Sequence, residues 1–243
     1  MSPIQAKSAG NSLLNSLSKK DQQHFMTHCE LVQLNLADVI SNVGDPIQYV
    51  YFPLDSIISL VNPVDGNAGM EVALIGNEGM LGITLMLGSD VAPIKALVQS
   101  EGSALRIASQ AFLNVLELIP ALRLQVKRYI CVSFSQLVQT TVCNRFHVVE
   151  ERLARLLLMI RDRKHSGQFY ITQELLAQML GVRRVGVTKA ASSLQLRKLI
   201  SYSRGDMKIN DITGLENASC ICYQTDKNIY KQLLHTKNMF EIN

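Results

Sequence analysis

The chain has 243 residues, of which 47% are hydrophobic and 18% are charged, and its formal net charge is +4. This composition is typical of a folded globular protein and excludes a disordered chain, while the length allows one large domain or two modest ones. No apolar run approaches the roughly 20 residues of a membrane helix, and the N-terminus lacks the apolar core of a signal peptide, so we expect no membrane partner.

The first predicted elements are an N-terminal helix and a series of short strands. Residues 11–30 have helical spacing, with Ser18 as an N-cap and Asp21 in the first turn of the helix that follows. Between residues 31 and 108 the pattern changes to short β-type segments separated by turn residues. The segments are 31–36, 48–52, 56–61, 70–76, 95–100 and 103–108, and the breaks are 44–46, 62–69, 76–79 and 88–90. This regular spacing predicts an antiparallel sandwich or a barrel-like roll.

The middle of the chain is predicted to be helical. Pro120 is a favourable first residue for a helix, and no glycine or proline occurs from Ala121 to Arg163. Because helices in compact domains average about a dozen residues, this stretch is either one long interface helix or two helices that meet at a polar joint. Residues 143–147 are the favoured joint, with Asn144 capping the second helix. The apolar positions of 122–142 form no clean heptad, so periodicity alone does not predict a coiled coil.

A compact basic module is predicted over residues 148–215. Residues 145–243 contain 16 Lys and Arg against 9 Asp and Glu, whereas residues 1–144 contain 8 against 11. The net charges of +7 and −3 suggest that the C-terminal part binds a polyanion, although chance clustering on a solvated surface is the alternative.

Three helices and a hairpin are predicted within this module. The first helix is amphipathic, the second begins after an N-cap threonine, and a glycine ends it before the third begins. Alternation around Arg204, Gly205 and Asp206 predicts the hairpin, with Gly-Asp at its tip. The predicted elements are helix 148–163, a helix from Thr172 to Gly181, helix 182–199, the hairpin, and a tail with a helical pattern.

The segment from Ala177 to Val187 has the spacing of a helix-turn-helix. Two helices joined by a tight turn cross steeply, so a small residue, Ala177, is needed at their approach. Gly181 at the turn tolerates a positive φ, and Val182 and Val187 then pack the second helix onto the first. The second helix of such a motif places its N-terminal residues in the DNA major groove.

Three interpretations compete for the cations Arg183, Arg184 and Lys189: a solvated helix start, an anion site for a small ligand, or the end of a helix that enters a DNA groove. The helix-turn-helix spacing, the hairpin and the basic half of the chain favour DNA. Arginine can donate two hydrogen bonds to guanine, while lysine and hydroxyl groups serve bases or phosphates. The candidate DNA-binding residues are Thr172, Gln173, Arg183, Arg184, Val185, Gly186, Thr188, Lys189, Ser192, Arg204 and Lys208.

From Glu150 onward, the segments ERLARLLLMIRDR and ITQELLAQMLGVRRVGVTKAASSLQLRKLISYSRGDMKI resemble the winged helix-turn-helix of the Crp/Fnr family of bacterial transcription regulators. The resemblance extends less sharply over most of the chain, through the strand rhythm and through GNEGMLGI (76–83) followed by PIKALVQ (93–99). It implies an α+β protein whose partners are double-stranded DNA, a second copy of the chain and RNA polymerase. The implied parts are a cyclic-nucleotide-binding-type β-roll sensor with an N-terminal helix (1–118), a dimerisation helix (119–147), a winged helix-turn-helix (148–215) and a helical tail (216–243).

Two departures from the family concern the ligand and the operator. Met80 stands where the family's nucleotide binders carry a ribose-binding acid, and Ile94 stands where they carry a phosphate-binding arginine. Lys95 lacks the bidentate fork of arginine, so cAMP held in the usual way is not expected. Val185 stands where many relatives carry a glutamate that accepts from cytosine N4, and valine can touch only a thymine methyl, so a different half-site is expected. The implied ligand pocket lies near Gly79, Met80, Gly82, Ile94 and Lys95.

The five cysteines are predicted to be free thiols. An odd, scattered number in a long chain fits a reducing cytoplasm better than a disulfide framework, so we expect a cytoplasmic protein. Cys131 and Cys143, near the presumed interface, are interpreted as buried packing residues in preference to redox sensors. Cys220-x-Cys222 lacks the second pair of ligands that a zinc site needs, and it is interpreted as part of the core.

No metal, cofactor or catalytic centre is expected. His24 and His28 are interpreted as surface residues of an amphipathic helix, although a metal site with Cys29 can be imagined. The family's iron–sulfur variant uses an N-terminal cysteine cluster, which Cys29 alone cannot supply, while haem stays open. No Ser-His-Asp, paired-carboxylate, phosphate-loop or HExxH arrangement is present, so the chain is not expected to be an enzyme.

Three functions follow, in order of preference. The first is a sequence-specific transcription regulator, a homodimer on a pseudo-palindromic operator, controlled by an unidentified signal at the β-roll. The second is a small-molecule or second-messenger sensor that acts through protein partners. The third is an enzyme that uses the roll as a cupin-like pocket, which is disfavoured because residues 31–146 contain no histidine.

Overall fold

The computed structural model describes residues 10–64 and 67–234, apart from the side chains of 63–68. The described chain divides into two compact units: residues up to 60 together with 74–131, and residues 61–73 together with 132 onward. One boundary between the units falls at residue 131, inside the stretch 119–147 predicted as the dimerisation helix. None of the described helices combines the length and the apolar character that crossing a membrane requires.

The first part of the chain builds two sheets with short helices around them. One sheet has the strand order β1-β7-β3 and the other has the order β2-β6-β4-β5. β1 and β3 both pair antiparallel with β7, and β2 pairs antiparallel with β6. The elements are α1 (Ser12–Asn15), α2 (Lys19–Met26), β1 (Glu30–Leu34), β2 (Val39–Ser41), β3 (Tyr49–Pro53), β4 (Ile57–Val64), β5 (Asn67–Ile75), a 3-10 helix (Ile83–Leu87), β6 (Lys95–Ser100), β7 (Gly102–Ala108) and α3 (Ser109–Leu118).

Three local predictions for this part meet different outcomes. The Ser18 hydroxyl accepts from the Asp21 N–H at 3.2 Å, which confirms the N-cap of α2. The bounds expected for the break at 62–69 are wrong, because β4 continues to Val64 and β5 already begins at Asn67. The short strand β2 was not predicted. Pairing with a neighbouring strand overrides local turn propensity at these positions.

An aromatic cluster joins the helices to the first sheet. The ring of Phe52 on β3 lies 5.2 Å from the ring of Phe25 on α2 in an edge-to-face arrangement, and 6.1 Å from the ring of Phe112 on α3. All three side chains are fully buried. Edge-to-face aromatic contacts add to the stabilisation from burial, so this cluster fixes both helices on the sheet.

The long glycine-free stretch forms two helices, α4 (Pro120–Phe146) and α5 (Val149–Lys164). The joint lies at His147 and Val148, at the end of the segment favoured from sequence. The expected cap is wrong: Val148 is the N-cap of α5, whereas Asn144 lies inside α4 and its side chain accepts from Arg152 at 2.7 Å. A buried partner therefore holds Asn144 in the helix despite its poor helix propensity.

Cys131 and Cys143 lie on α4 and differ in burial. Cys143 is buried, as predicted, but Cys131 is exposed on the single chain, and the expectation that it is a buried packing residue is wrong for this chain alone. The pattern of α4 is not cleanly amphipathic, so the sequence does not reveal which positions face inward.

From Val149 onward, the described part of the second unit contains three helices and a small sheet followed by two further helices. The sheet has the order β8-β10-β9 with antiparallel pairing throughout. The elements after α5 are β8 (Gln168–Tyr170), α6 (Gln173–Leu180), α7 (Arg184–Leu196), β9 (Ile200–Ser203), β10 (Asp206–Ile209), α8 (Ile212–Ala218) and α9 (Cys222–Leu234). α8 crosses residue 215, the predicted end of this domain.

The hairpin between β9 and β10 turns one residue earlier than predicted. Arg204 and Gly205 have φ values of 51° and 96°, so they form the tip, and Asp206 is already the first residue of β10. Two successive positive φ values match the twist of the flanking strands. A Cβ on Gly205 would overlap the Tyr170 ring, which explains why glycine occupies the second position.

A buried ion pair fastens α9 to α5. The Arg155 guanidinium donates to Asp226 Oδ2 from two nitrogens, at 3.2 and 2.7 Å, and the two side chains are 8% and 5% exposed. Burial raises the pKa of the Asp226 carboxyl, and the charge of Arg155 opposes that rise. Removing either partner would leave an uncompensated buried charge.

We therefore expect Asp226→Ala to lower the free energy of unfolding by about 3–5 kcal/mol, because Arg155 would stay buried without its counter-ion. Denaturant unfolding measures the change. Lys227→Ala is the matched control on the same helix, since its pair with Glu216 is exposed and long at 3.7 Å; it should change the value by less than about 1 kcal/mol. Equal effects of the two substitutions would contradict this role of the buried pair.

Candidate nucleic-acid interface

The turn between α6 and α7 has the geometry that the sequence predicts for a helix-turn-helix. Gly181 caps α6 with a φ of 60°, in the left-handed region that glycine adopts without strain. The Val182 N–H then donates to the Ala177 carbonyl at 3.0 Å, which closes the turn. Leu176 and Val187 are fully buried, and Ala177 is nearly so. The close approach of the helices is thus made by the small and branched residues expected from sequence.

The N-terminal part of α7 is exposed and cationic. Arg183 is the N-cap residue but its side chain makes no capping hydrogen bond, so it does not satisfy the first backbone N–H groups of the helix. Together with the positive end of the helix dipole, these groups favour an anion such as a phosphate. The exposed side chains on this helix include Arg183, Arg184, Val185, Thr188, Lys189 and Ser192.

Gln173 links the start of α6 to the outer face of α7. Its side-chain oxygen accepts from Thr188 Oγ1 at 2.9 Å and from Arg184 Nε at 3.4 Å. Thr188 Oγ1 also approaches the Arg184 carbonyl at 3.1 Å, one helical turn back. The hydrogen bond from Arg184 uses Nε and not the two terminal guanidinium nitrogens. It therefore orients the guanidinium, while the two terminal nitrogens can still donate to a base. Gln173, Arg184 and Thr188 are therefore joined in one polar network.

The remaining candidates take up separate positions. Thr172 accepts from the Leu175 N–H at 3.2 Å and so caps α6. Gly186 is half-buried beside Val182, and Arg204 and Lys208 are exposed on the hairpin. Within the hairpin, the Tyr202 hydroxyl donates to the Ile171 carbonyl at 2.9 Å, and burial raises the pKa of Tyr202.

Arg152 on α5 was not predicted from the sequence as a functional residue, but it contacts the end of α6 from the buried side of the interface. Arg152 is only 9% exposed, and its guanidinium donates to the carbonyl of Leu180, the last residue of α6, as well as to Asn144. It thereby satisfies a carbonyl at the helix end next to the turn. The available signal was an arginine inside the apolar stripe of α5, where a charge is costly unless it has partners.

The residues implied as a ligand pocket in the β-roll lie mostly inside. Met80 is fully buried in the core, and a Cβ on Gly79 would overlap the Tyr129 ring. Gly82 has a φ of 101° and begins the 3-10 helix. Ile94 and Lys95 are half-buried, and Lys95 is the first residue of β6.

Two glycines of the motif should respond in opposite ways to alanine. A Cβ on Gly186 would meet Val182 at an ordinary 3.9 Å, so Gly186→Ala should stabilise the protein by about 0.5–1 kcal/mol through better helix propensity. A Cβ on Gly181 would lie 3.1 Å from Met70 Sδ at a positive φ, so Gly181→Ala should destabilise it by about 1 kcal/mol or more. Thermal unfolding of both variants checks the signs, and a stabilising Gly181→Ala would refute the turn geometry.

Comparison with known proteins agrees with this geometry. Residues 151–218 match the family profile of the Crp-like helix-turn-helix domain. No curated protein matches the sequence.

Several solved structures have a similar fold. FixK2 from Bradyrhizobium japonicum is 12% identical with a TM-score of 0.68, and the match covers 79% of this chain and 98% of FixK2. A Crp/Fnr-family putative transcriptional regulator from Eubacterium rectale is 15% identical with a TM-score of 0.63, covering 85% and 96% of the two chains. A CRP-family transcriptional regulator from Thermus thermophilus is 15% identical with a TM-score of 0.64, covering 77% and 96%.

These likenesses fix the fold class as α+β, with strand sheets, a long central helix and a C-terminal helix-turn-helix. They agree with the resemblance seen in the sequence. Residues 151–218 thus match a Crp-like helix-turn-helix domain, and the fold of the chain is similar to that of solved Crp/Fnr-family proteins.

Proposed function

We propose that this protein is a sequence-specific transcription regulator that binds a pseudo-palindromic operator as a homodimer. The observation that carries the proposal is the polar network of Gln173, Arg184 and Thr188 at the exposed, cationic start of α7. A bidentate donor held in position at the N-terminus of a second helix is what major-groove readout requires.

The distribution of charged residues supports DNA over a small anion. Lys189 and Arg183 lie exposed on the same helix as Arg184, and Arg204 and Lys208 lie exposed on the following hairpin. Cations spread over a helix and a hairpin fit a run of phosphates along a duplex better than a single bound ion. Val185 is 60% exposed among them, available to contact a thymine methyl.

An apolar stripe on α4 supports a homodimer. Phe134, Val138, Val142 and Phe146 recur every fourth residue and are 69%, 50%, 41% and 74% exposed. Residues four apart lie on one helix face, so these side chains form a continuous apolar surface. We propose that a second copy of α4 covers this surface, so that the two identical apolar stripes bury each other. The resulting C2 dimer would present one α7 helix to each half of a pseudo-palindrome.

The signal at the β-roll is proposed to be something other than cAMP bound in the usual mode. Met80 is fully buried where the family's binders present an acid, and Ile94 replaces their arginine. We propose RNA polymerase as the protein partner and the cytoplasm as the location, because an operator-bound regulator acts where transcription occurs.

Arg184→Ala should weaken binding to a selected operator by about 1–3 kcal/mol and relax base choice at one position of each half-site. The operator comes from selection of random duplex DNA with the wild-type protein, and fluorescence anisotropy measures affinity for it and for single-base variants. Arg197→Ala is the matched control at the other end of α7, where the guanidinium pairs with Glu150 at 2.9 Å; it should leave base choice unchanged. Unaltered affinity and selectivity in Arg184→Ala would overturn the assignment of α7.

Val138→Asp should convert the dimer to a monomer, because it places a charge in the centre of the apolar stripe. Sedimentation velocity across a concentration series measures the equilibrium. Leu196→Asp is the control, since Leu196 is 85% exposed but lies on α7; it should stay dimeric. A wild-type protein that is monomeric at all concentrations would contradict the proposed assembly.

A further inference from the structure

Three cysteines and a histidine meet in the second unit. Cys143 Sγ, Cys220 Sγ, Cys222 Sγ and a ring nitrogen of His147 all lie within 4.8 Å of one another. The three cysteines are buried and His147 is half-buried. Among the described residues this is the one group of three or more such ligands. The DNA-binding proposal gives it no role.

Each half of the group is positioned by local structure. Cys143 and His147 are four residues apart at the end of α4, and the His147 N–H donates to the Cys143 carbonyl at 3.1 Å, so both side chains lie on one face. Cys220 and Cys222 flank Ile221 in the turn from α8 to α9. Ile221 is 75% exposed, whereas both cysteines turn inward. The fold therefore supplies the second ligand pair that the Cys-x-Cys motif lacks in sequence.

Two of the ligand–ligand distances are close to those of one tetrahedral metal ion, and all four ligand atoms lie within 4.8 Å of one another. With Zn–S near 2.3 Å and Zn–N near 2.0–2.1 Å, neighbouring ligand atoms in a tetrahedron lie about 3.5–3.8 Å apart. Cys143 Sγ and Cys220 Sγ are 3.5 Å apart, and Cys222 Sγ and His147 Nδ1 are 3.4 Å apart. The sulfur–sulfur distance is well beyond the roughly 2.05 Å of a disulfide bond.

The surroundings suit bound thiolates. The side-chain amide of Gln139 donates to Cys222 Sγ at 2.9 Å, and hydrogen bonds of this kind orient the ligands of metal sites. The charges of Arg152 and Arg155 both interact with Cys143. Arg155 is paired with Asp226, whereas Arg152 donates to the neutral Asn144 amide and the Leu180 carbonyl, so the charge of Arg152 offsets the net negative charge of three thiolates around a divalent ion.

We propose that Cys143, His147, Cys220 and Cys222 bind one Zn²⁺ ion. Four protein ligands close the coordination sphere, so the ion is structural and has no open position for a substrate or a water. It ties the end of α4 to the turn between α8 and α9. Because α8 and α9 both pack against α5, the ion holds these C-terminal helices on the helix that supports the helix-turn-helix.

Metal analysis of the full chain, purified without chelators, tests the proposal. We expect about one zinc per chain in the wild type and in Cys131→Ser, a control that removes an exposed cysteine from the same helix. Cys143→Ser and Cys220→Ser should each lose most of the zinc, whereas His147→Cys should keep it because a fourth thiolate replaces the imidazole.

A second measurement uses only the wild-type protein, so its result does not depend on whether the cysteine variants fold. The zinc-depleted wild type is titrated with Co²⁺, which should give the intense visible absorption of a tetrahedral thiolate site, reversed by one equivalent of Zn²⁺. The proposal is overturned if the wild-type protein contains no zinc and shows no such absorption with Co²⁺. It is also overturned if Cys143→Ser and Cys220→Ser retain their zinc, or if metal analysis finds iron with sulfide instead of zinc. None of these readouts uses DNA, so the result stands apart from the proposed operator binding.

Discussion

The second unit depends on the crossing of α6 and α7 at Gly181. Gly181 has a left-handed backbone conformation that ends α6 and directs the chain into α7. The buried side chains of Leu176, Ala177 and Val187 hold the two helices together. This crossing decides which face of α7 is outside. Every candidate contact to DNA, from Arg184 to the hairpin that follows, takes its position from that packing.

Hydrogen bonds from polar side chains add to the apolar contacts between α6 and α7. Gln173 spans from α6 to Arg184 and Thr188, and buried Arg152 satisfies the last carbonyl of α6. An uncompensated arginine at such a site would be destabilising, so its hydrogen bonds are needed for the interface to hold its shape. Buried residues of α5 thus support the turn between α6 and α7, while the start of α7 is exposed and cationic. A binding site of this kind needs both the exposed groups and the packing that holds them in position.

Much of the fold could be predicted from sequence, because the signals were local. The cap at Ser18, the start of α4 at Pro120, the glycine turn at Gly181 and the strand rhythm of the roll each depend on a few neighbouring residues. The extension of β4 and β5 into the expected break depends on their pairing with each other, and the place of Asn144 inside α4 depends on its hydrogen bond from buried Arg152. The one-residue shift of the hairpin tip places Gly205 against the Tyr170 ring. Local sequence patterns do not show these contacts. The cysteine group is the clearest such case: Cys143 and Cys220 are 77 residues apart in sequence, and only the fold shows that they meet.

The central claim is that α7 enters the major groove as one of a pair. Methylation of guanine N7 places a methyl group in that groove, at an acceptor that arginine contacts. We would methylate the selected operator, separate bound from free duplex, and map the interfering guanines. We expect two clusters one helical turn apart, roughly 34 Å between centres, related by the dyad of the operator. Binding that no N7 methylation disturbs would contradict the claim.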